Sequence, residues 1–275
     1  MSTNFRPAQC PSCNGMLQVP TDRDTVNCMY CSATITINVA ILAVQGKNID
    51  NLLTLARAAS ASSNCQEAYD YYTRVLEIDS QHVEAWSGKA TSAGWASTLK
   101  DFRLPEMVSG FTQAIVVAPE ADKPLIRSQA AHTINEITIA FYGVARKHVL
   151  EFVQVGSVWS DYLQQCSAML AALEQAHNFS PDDKTILENI IYVCKDNIEG
   201  ISYRDFQNLS QVASLSPEYE AQLKQIMDKT TWRLRKLNPD FKPPEIKKAS
   251  AGCATLLLSA SVLLVLTLLI AIGTT

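Results

Sequence analysis

The stretch CPSCNGMLQVPTDRDTVNCMYC, residues 10–31, decides the fold of the amino-terminal part of this chain. It contains two C-x2-C pairs, Cys10 with Cys13 and Cys28 with Cys31, and 14 residues separate the pairs. A C-x2-C turn lets two thiolates point at one ion, and two such turns joined by a hairpin complete a tetrahedral zinc site. The spacing therefore predicts that these four cysteines bind one Zn²⁺ ion.

The residues around the cysteines predict a small β module. Met16–Val19 and Thr34–Val39 are predicted strands, and polar and apolar residues alternate in the second of them, as in a half-buried strand. Thr21–Asp24 is the predicted turn. Four thiolates leave no coordination position open, so the zinc would be structural and not catalytic. The alternatives are a redox dithiol or cysteines without a metal.

This module, placed at 1–45, resembles the zinc ribbon family through its intact cysteine pairs. Asn14-Gly15 and Ser32-Ala33 follow the pairs, where such ribbons usually have glycines or small residues. The resemblance implies a structural zinc ion and contact with either protein or nucleic acid. The sequence near the cysteines lacks the basic charge that binding to phosphates requires, so we expect a protein partner.

Small and large side chains recur over 48–119 at the spacing of paired helices. A first unit contains Leu52, Leu55, Ala56, Ala59, Ala68, Tyr72 and Val75, and a second contains Trp86, Met107, Phe111, Ala114 and Pro119. Trp86 follows Leu52 by 34 residues, and an insertion at 100–105 aligns the rest. The pattern resembles the tetratricopeptide repeat family, which implies stacked helix pairs that bind peptides or proteins. A generic helical hairpin is the alternative.

One subtype of that family binds carboxyl-terminal carboxylates through lysines and asparagines. At the comparable places this chain has Leu53, Arg57 and Gly88. The resemblance therefore does not extend to that activity.

Helical periodicity continues over 120–239, which we interpret as a further helical array with degenerate repeats as one possibility. Its longest apolar stripe runs from Ile126 to Phe152, and Gly156 is predicted to end that helix. Ser180 and Ser216 each precede a proline and acidic residues, so both are predicted to cap the start of a helix. A short hinge at 46–48 is predicted to separate the ribbon from the helices.

The carboxyl-terminal stretch 251–272 contains no charged residue. A helix of that length matches the thickness of a bilayer, so the sequence predicts one transmembrane helix, with a buried core helix as the alternative. A basic, proline-containing linker at 240–250 precedes it. Residues 224–248 carry a net charge of +5 and the remainder −9, which together give −4. Basic charge beside a span favours the cytoplasmic side.

These features predict a mainly α protein, with a tetratricopeptide-like α-solenoid, an amino-terminal β zinc ribbon and one transmembrane helix. We predict a single-pass membrane protein, and the bacterial inner membrane is favoured over a eukaryotic organelle membrane. No secretory signal opens the chain, so a reducing cytoplasm is expected around its bulk, where cysteines bind metal more often than they form disulfides.

The sequence contains no recognisable catalytic motif. No H-E-x-x-H pair, phosphate loop, dinucleotide fingerprint or G-x-S-x-G elbow occurs in it. We therefore expect a membrane-anchored adaptor, not an enzyme, which binds a protein or peptide partner through its ribbon and repeats, with no small-molecule substrate. The alternatives are a nucleic-acid-binding ribbon protein and an enzyme with an unfamiliar site in the helices.

Overall fold

A computed structural model describes residues 5–20 and 23–250 of the chain, with the backbone alone of 38–45 and 47. The described chain is mainly α-helical with small β hairpins, as predicted. It divides into two compact units between Ser92 and Ala93. The strands are β1 (Phe5–Gln9), β2 (Met16–Pro20), β3 (Thr25–Asn27), β4 (Thr34–Thr36), β5 (Ile201–Arg204) and β6 (Ser210–Ala213). The helices are α1 (Ile37–Ala61), α2 (Cys65–Ile78), α3 (Val83–Trp95), α4 (Leu104–Val117), α5 (Lys123–Phe152), α6 (Val158–Phe179), α7 (Lys184–Glu199) and α8 (Pro217–Leu237).

Two antiparallel hairpins, β1 with β2 and β3 with β4, open the first unit. Ala8 pairs with Leu17, and Val26 pairs with Ile35. Buried and exposed residues alternate along β2, as a strand with one face on a core requires. The shared apolar cluster of the hairpins consists of Ala8, Cys10, Leu17, Val19, Cys28, Ile35 and Ile37, with Val26 packed against it.

The end of the ribbon differs from the sequence prediction. The strand predicted over Thr34–Val39 ends at Thr36, and α1 begins at Ile37, whose amide still donates a hydrogen bond to the Asp24 carbonyl. The predicted hinge at 46–48 is wrong, since α1 continues through it to Ala61. Close packing does not require the glycine at position 46 of this helix, because nothing lies within 4 Å of a Cβ placed there.

Helices α1 and α2 form the helical hairpin predicted as the first repeat unit. Its buried positions are Leu52, Leu53, Ala56, Ala59, Ala68, Tyr72 and Val75, and Ala85 of α3 belongs to the same cluster. Leu55, which was predicted to pack, is 43% exposed. The turn between the helices contains Ser63 at φ 58°, and the Asn64 amide donates back to the Ala59 carbonyl. Small alanines therefore bring the two helices together, as the pattern predicted.

The positions compared with the carboxylate-binding subtype have structural roles in the first unit. Leu53 is buried, and Arg57 donates two hydrogen bonds of 2.6 Å to the Glu84 carboxylate. A Cβ at Gly88 would lie 2.2 Å from the Tyr72 ring, so only glycine allows this ring to pack against α3. These contacts agree with the sequence-based exclusion of a carboxylate clamp.

Helix α5 ends at Phe152, before the Gly156 that was predicted to end it, and its buried face changes along its length. Ile134, Ile137 and Phe141 are buried as predicted, whereas Val144 is 58% and Phe152 40% exposed. The face that packs in the second half contains Tyr142, Ala145 and Val149 instead. A helix of 30 residues contacts successive neighbours, here α4 and α6, so one regular stripe cannot describe it.

The predicted helix caps have different outcomes. The Ser216 hydroxyl accepts a hydrogen bond from the Tyr219 amide at the start of α8, which confirms that cap. The Ser180 cap is wrong, because α7 begins at Lys184 and the Asp183 carboxylate accepts from the amides of Thr185 and Ile186. Asp183 lies closer to the first helical turn and its charge suits the helix dipole.

The β5–β6 hairpin was not predicted from the sequence. The chain leaves α7 at Gly200, whose φ of 77° favours glycine, and pairs Ile201 with Ala213. The Asp205 carboxylate closes the hairpin by accepting hydrogen bonds from the amides of Gln207 and Leu209. This short pair of strands carries too few residues for a period-2 pattern to be distinguished from a loop.

No helix in the part of the chain that the structure describes is both long and apolar enough to cross a bilayer. Helix α5 has the length, but Arg127, Glu136 and Arg146 interrupt its apolar residues, and such charges are costly in hydrocarbon. This finding contradicts the predicted localisation in a single-pass membrane with the bulk of the protein in the cytoplasm. The span itself was predicted at 251–272, which lies outside the described residues.

Candidate metal centre

The first cysteine pair lies in a tight turn after β1. The Asn14 amide donates to the Cys10 carbonyl at 2.9 Å, and the Cys10 amide donates to the Gly15 carbonyl at 3.0 Å. Asn14 has a φ of 59°, a conformation that asparagine tolerates better than most residues. The Gln9 side-chain amide also donates to the Asn14 carbonyl at 2.9 Å. These bonds fix the loop from which both sulfurs project.

The second pair repeats this turn between β3 and β4. The Ser32 amide donates to the Cys28 carbonyl at 2.8 Å, the Cys28 amide donates to the Ala33 carbonyl at 2.9 Å, and Ser32 has a φ of 60°. The Tyr30 amide approaches the Cys28 sulfur at 3.4 Å. Two loops of the same geometry therefore face each other, each at the end of one hairpin.

The four cysteine sulfurs, of Cys10, Cys13, Cys28 and Cys31, lie within 4.8 Å of one another. The Sγ atoms of Cys10 and Cys31 are 3.7 Å apart, and those of Cys13 and Cys28 are 3.6 Å apart. A tetrahedral zinc ion with Zn–S bonds of about 2.3 Å requires sulfurs about 3.8 Å apart. The four predicted ligands are thus brought together at a spacing that fits one metal ion.

The cluster has a buried side and an exposed side. Cys10 and Cys28 belong to the apolar core of the hairpins, whereas Cys13 and Cys31 face solvent. A metal ion here would join the two hairpins through one core cysteine and one surface cysteine of each. With four protein ligands in place, it would have no position left for a substrate.

The environment of the thiols favours bound positive charge. Burial raises the pKa of Cys10, but hydrogen bonds from the backbone at Cys13 and Ser12 outweigh it and lower that pKa to about 6. The backbone amide of Gly15 lowers the pKa of Cys13, yet burial and the neighbouring sulfurs prevail and raise it to about 12. Thiolates this close repel one another, and a divalent cation removes that repulsion.

Exposed apolar side chains surround the cysteine loops. Met16, Met29 and Tyr30 are 56%, 78% and 65% exposed. The Tyr30 ring lies against Gly15, since a Cβ there would be 2.5 Å from it, and Met16 and Met29 are next to Gly15 and Tyr30 in the sequence. We call Met16, Met29 and Tyr30 the ribbon patch. Sequence reasoning did not identify it, although the alternation along β2 points Met16 away from the core.

The remaining cysteines and the histidines form no second metal cluster among the described residues. Cys166 and Cys194 are buried, and burial raises the pKa of each thiol to about 12. Cys65 is only half-buried. His177 is buried at the end of α6, where loss of solvent lowers its pKa.

A buried polar cluster lies between α5, α6 and α7. The Tyr142 hydroxyl donates to the Asp196 carboxylate at 3.2 Å, and Arg146 donates to the Asp196 carbonyl at 3.2 Å and the Tyr162 hydroxyl at 3.4 Å. Burial raises the pKa of Tyr142 well above its ordinary value and also raises that of Tyr162. Neither phenol is poised to exchange a proton near neutral pH, so the cluster joins helices and does not resemble an acid–base site.

No protein-family model and no curated protein matches the chain. Among solved structures, it is similar to a crystal structure of MamA protein at 10% identity, over 73% of this chain and 100% of that one. It is also similar to a MamA RS-1 ArsTM double mutant at 10% identity, over 71% of this chain and 99% of that one. Both TM-scores are 0.26. Scores this low establish neither a shared fold nor a shared function.

Proposed function

We propose that this protein is a non-enzymatic adaptor whose ribbon holds a structural zinc ion and binds a protein partner. Cys10, Cys13, Cys28 and Cys31 are the proposed ligands. We further propose the predicted organisation, a ribbon followed by tetratricopeptide-like helices over 48–119 and a helical array to residue 239. The geometry of the sulfurs supports a metal ion, and their softness and tetrahedral spacing favour zinc.

The ribbon patch is the observation that carries the adaptor role. Its three residues are more than half exposed beside a site that fixes both loops. Methionine and tyrosine are common at protein interfaces, where they supply apolar area that gains by leaving water. A rigid loop also loses little conformational entropy when a partner binds. A protein partner is therefore favoured over nucleic acid, which would require clustered basic side chains.

The test uses the full-length chain and two variants with the same change. Met29→Asp places a carboxylate in the ribbon patch, and Val116→Asp places one at a residue of α4 that is 62% exposed. Proteins that co-purify from the native host are quantified by mass spectrometry, and zinc content is measured in each sample. We expect at least one direct partner to be lost with Met29→Asp and retained with Val116→Asp, while zinc stays bound in both.

Identical sets of partners for both variants would contradict the ribbon patch as the binding surface. Absence of zinc from the wild-type protein would contradict the proposed metal. Salt-dependent binding of the full-length chain to nucleic acid, abolished with the ribbon cysteines, would support the nucleic-acid alternative instead.

A further inference from the structure

Helices α6, α7 and α8 enclose an apolar groove of about 360 Å³ in the second unit. Leu170, Ile190 and Leu223 form its buried base. Ala171 of α6 is an exposed part of its wall, and Ile226 of α8 is half-buried. Its remaining lining residues are Ser167, Glu174, Tyr219, Gln222, Lys229 and Thr230. The groove thus offers mainly aliphatic contact to whatever enters it.

The polar groups along the groove mostly bind one another. The hydroxyls of Ser167 and Tyr219 are hydrogen-bonded at 2.8 Å. Glu174 accepts from Arg233 at 2.7 Å and lies 3.6 Å from Lys229. The carboxylate is therefore paired with cations, and apart from Glu174 and Lys229 the groove is lined by uncharged side chains. An uncharged, apolar occupant suits this lining.

The described chain ends against the same unit. At the end of the predicted linker, the Lys247 amide donates to the Glu199 carboxylate at 2.8 Å, and the Ala249 amide donates to the Glu199 carbonyl at 2.8 Å. The Ser202 hydroxyl donates to the Ser250 carbonyl at 2.9 Å. These bonds attach 247–250 to the end of α7 and to β5. The linker is consequently fixed in place up to Ser250.

An ion pair connects this end of the chain to the groove wall. The Lys248 ammonium contacts the Glu220 carboxylate of α8. Lys224 contacts it too, and hydrogen bonds from these two cations lower the pKa of Glu220. Tyr219, the residue directly before Glu220, lines the groove. The chain therefore continues beyond Ser250 from a point beside α8.

The sequence that follows Ser250 is apolar and uncharged, as the lining of the groove favours. Residues 251–272 read AGCATLLLSASVLLVLTLLIAI and contain no charge. Leucine side chains gain stability when they are removed from water. Because the segment is covalently attached, its effective concentration at a nearby groove is in the millimolar range for a short connection. A separate partner would need a considerable affinity to compete with it.

We propose that the groove between α6 and α8 binds apolar side chains of the segment 251–272 of the same chain. The contact shields leucines of the segment and the aliphatic wall of the groove from water. The linker, held by Glu199 and Glu220, attaches the segment to the same unit as this groove. This inference does not rest on the proposed function of the ribbon, and either can fail without the other.

The first test places a photo-reactive amino acid at Ala171 in the full-length chain, at nanomolar concentration. The matched control places it at Ala58, an exposed alanine of α1 that does not line the groove. We expect cross-links from position 171 to peptides of 251–272 within one chain, and none of these from position 58. Cross-links from 171 to a second copy or to another protein, or none to the segment, would overturn the proposal.

The second test follows Cys253, which lies in the segment, by its rate of alkylation in the full-length protein. Ala171→Arg introduces a charged side chain into the groove, and Ala58→Arg makes the same substitution at an exposed helical position elsewhere. We expect alkylation of Cys253, identified by peptide mass spectrometry, to accelerate on the order of tenfold in the first variant only, as for a contact of modest strength. Equal rates in the wild type and both variants would overturn the proposal.

Discussion

The ribbon and the helical second unit reach stability by different means. The ribbon core has seven buried residues, of which two are cysteines and one is alanine. The second unit buries large aliphatic side chains completely, including Ile134, Leu173, Ile190 and Leu223. Small modules cannot bury enough apolar surface to fold alone and depend on metals or disulfides. The ribbon would therefore depend on its proposed metal ion, whereas the second unit is stabilised by hydrophobic burial.

Loss of a metal ligand tests this comparison most strongly. Cys10→Ser should abolish zinc binding and unfold the ribbon, because binding of structural zinc to small modules contributes about 10–16 kcal/mol. Zinc content and hydrogen exchange of residues 5–37 are the measurements. The helices of the second unit should retain their exchange protection.

Cys65→Ser is the matched control, because Cys65 is a half-buried thiol outside the cluster. It should leave zinc content unchanged. If Cys10→Ser left the ribbon amides protected, the claim that the metal supports this fold would be wrong.

A cavity in the helical core should destabilise the second unit and leave zinc binding by the ribbon unchanged. Leu173 is fully buried on α6, so Leu173→Ala should lower the free energy of unfolding of the second unit by about 2–5 kcal/mol. Urea denaturation followed by helical circular dichroism measures the loss, and zinc content should not change.

Leu125→Ala provides the comparison at a side chain that is 62% exposed, where we expect less than about 0.5 kcal/mol. Equal effects of the two substitutions would show that burial of Leu173 does not stabilise this unit.

The turn at Asn14 sharpens the comparison at the level of one backbone angle. Because Asn14 has a φ of 59°, Asn14→Ala should lower the stability of the ribbon by about 1–2 kcal/mol, whereas Asn14→Gly should lower it little. Competition with a zinc chelator measures the effect of each substitution as a shift in the chelator concentration at which half of the metal is released. Equal midpoints for alanine and glycine would indicate that the left-handed conformation is not required.

Loss of the cap of α7 should have the smallest effect. It tests whether Asp183, as in the structure, or Ser180, as predicted from the sequence, caps this helix. Asp183→Ala removes the acceptor for the Thr185 and Ile186 amides and should cost about 0.5–2 kcal/mol of the stability of the second unit. Ser180→Ala should be close to neutral. Thermal unfolding distinguishes the two, and the reverse order would restore Ser180 as the cap.

The cysteine site could be predicted almost completely from the sequence, because ligand type and spacing are local properties. The exposed apolar residues beside this site were not predicted from the sequence. The Tyr30 ring lies against Gly15, the residue before Met16, and this contact joins two loops that are separate in the sequence. In the helices, Tyr72 and Ile134 followed from their periodicity, whereas the exposure of Val144 depended on which neighbour α5 packs against.

The sequence by itself determined which residues can bind a metal, where most helices lie and which of their faces are apolar. These properties depend on spacing along the chain and on intrinsic backbone preferences. The tertiary structure alone decided that α1 begins at Ile37 and that 247–250 attaches to Glu199. Such outcomes depend on contacts between distant segments, whose free energies exceed the small local preferences on which the sequence prediction rested.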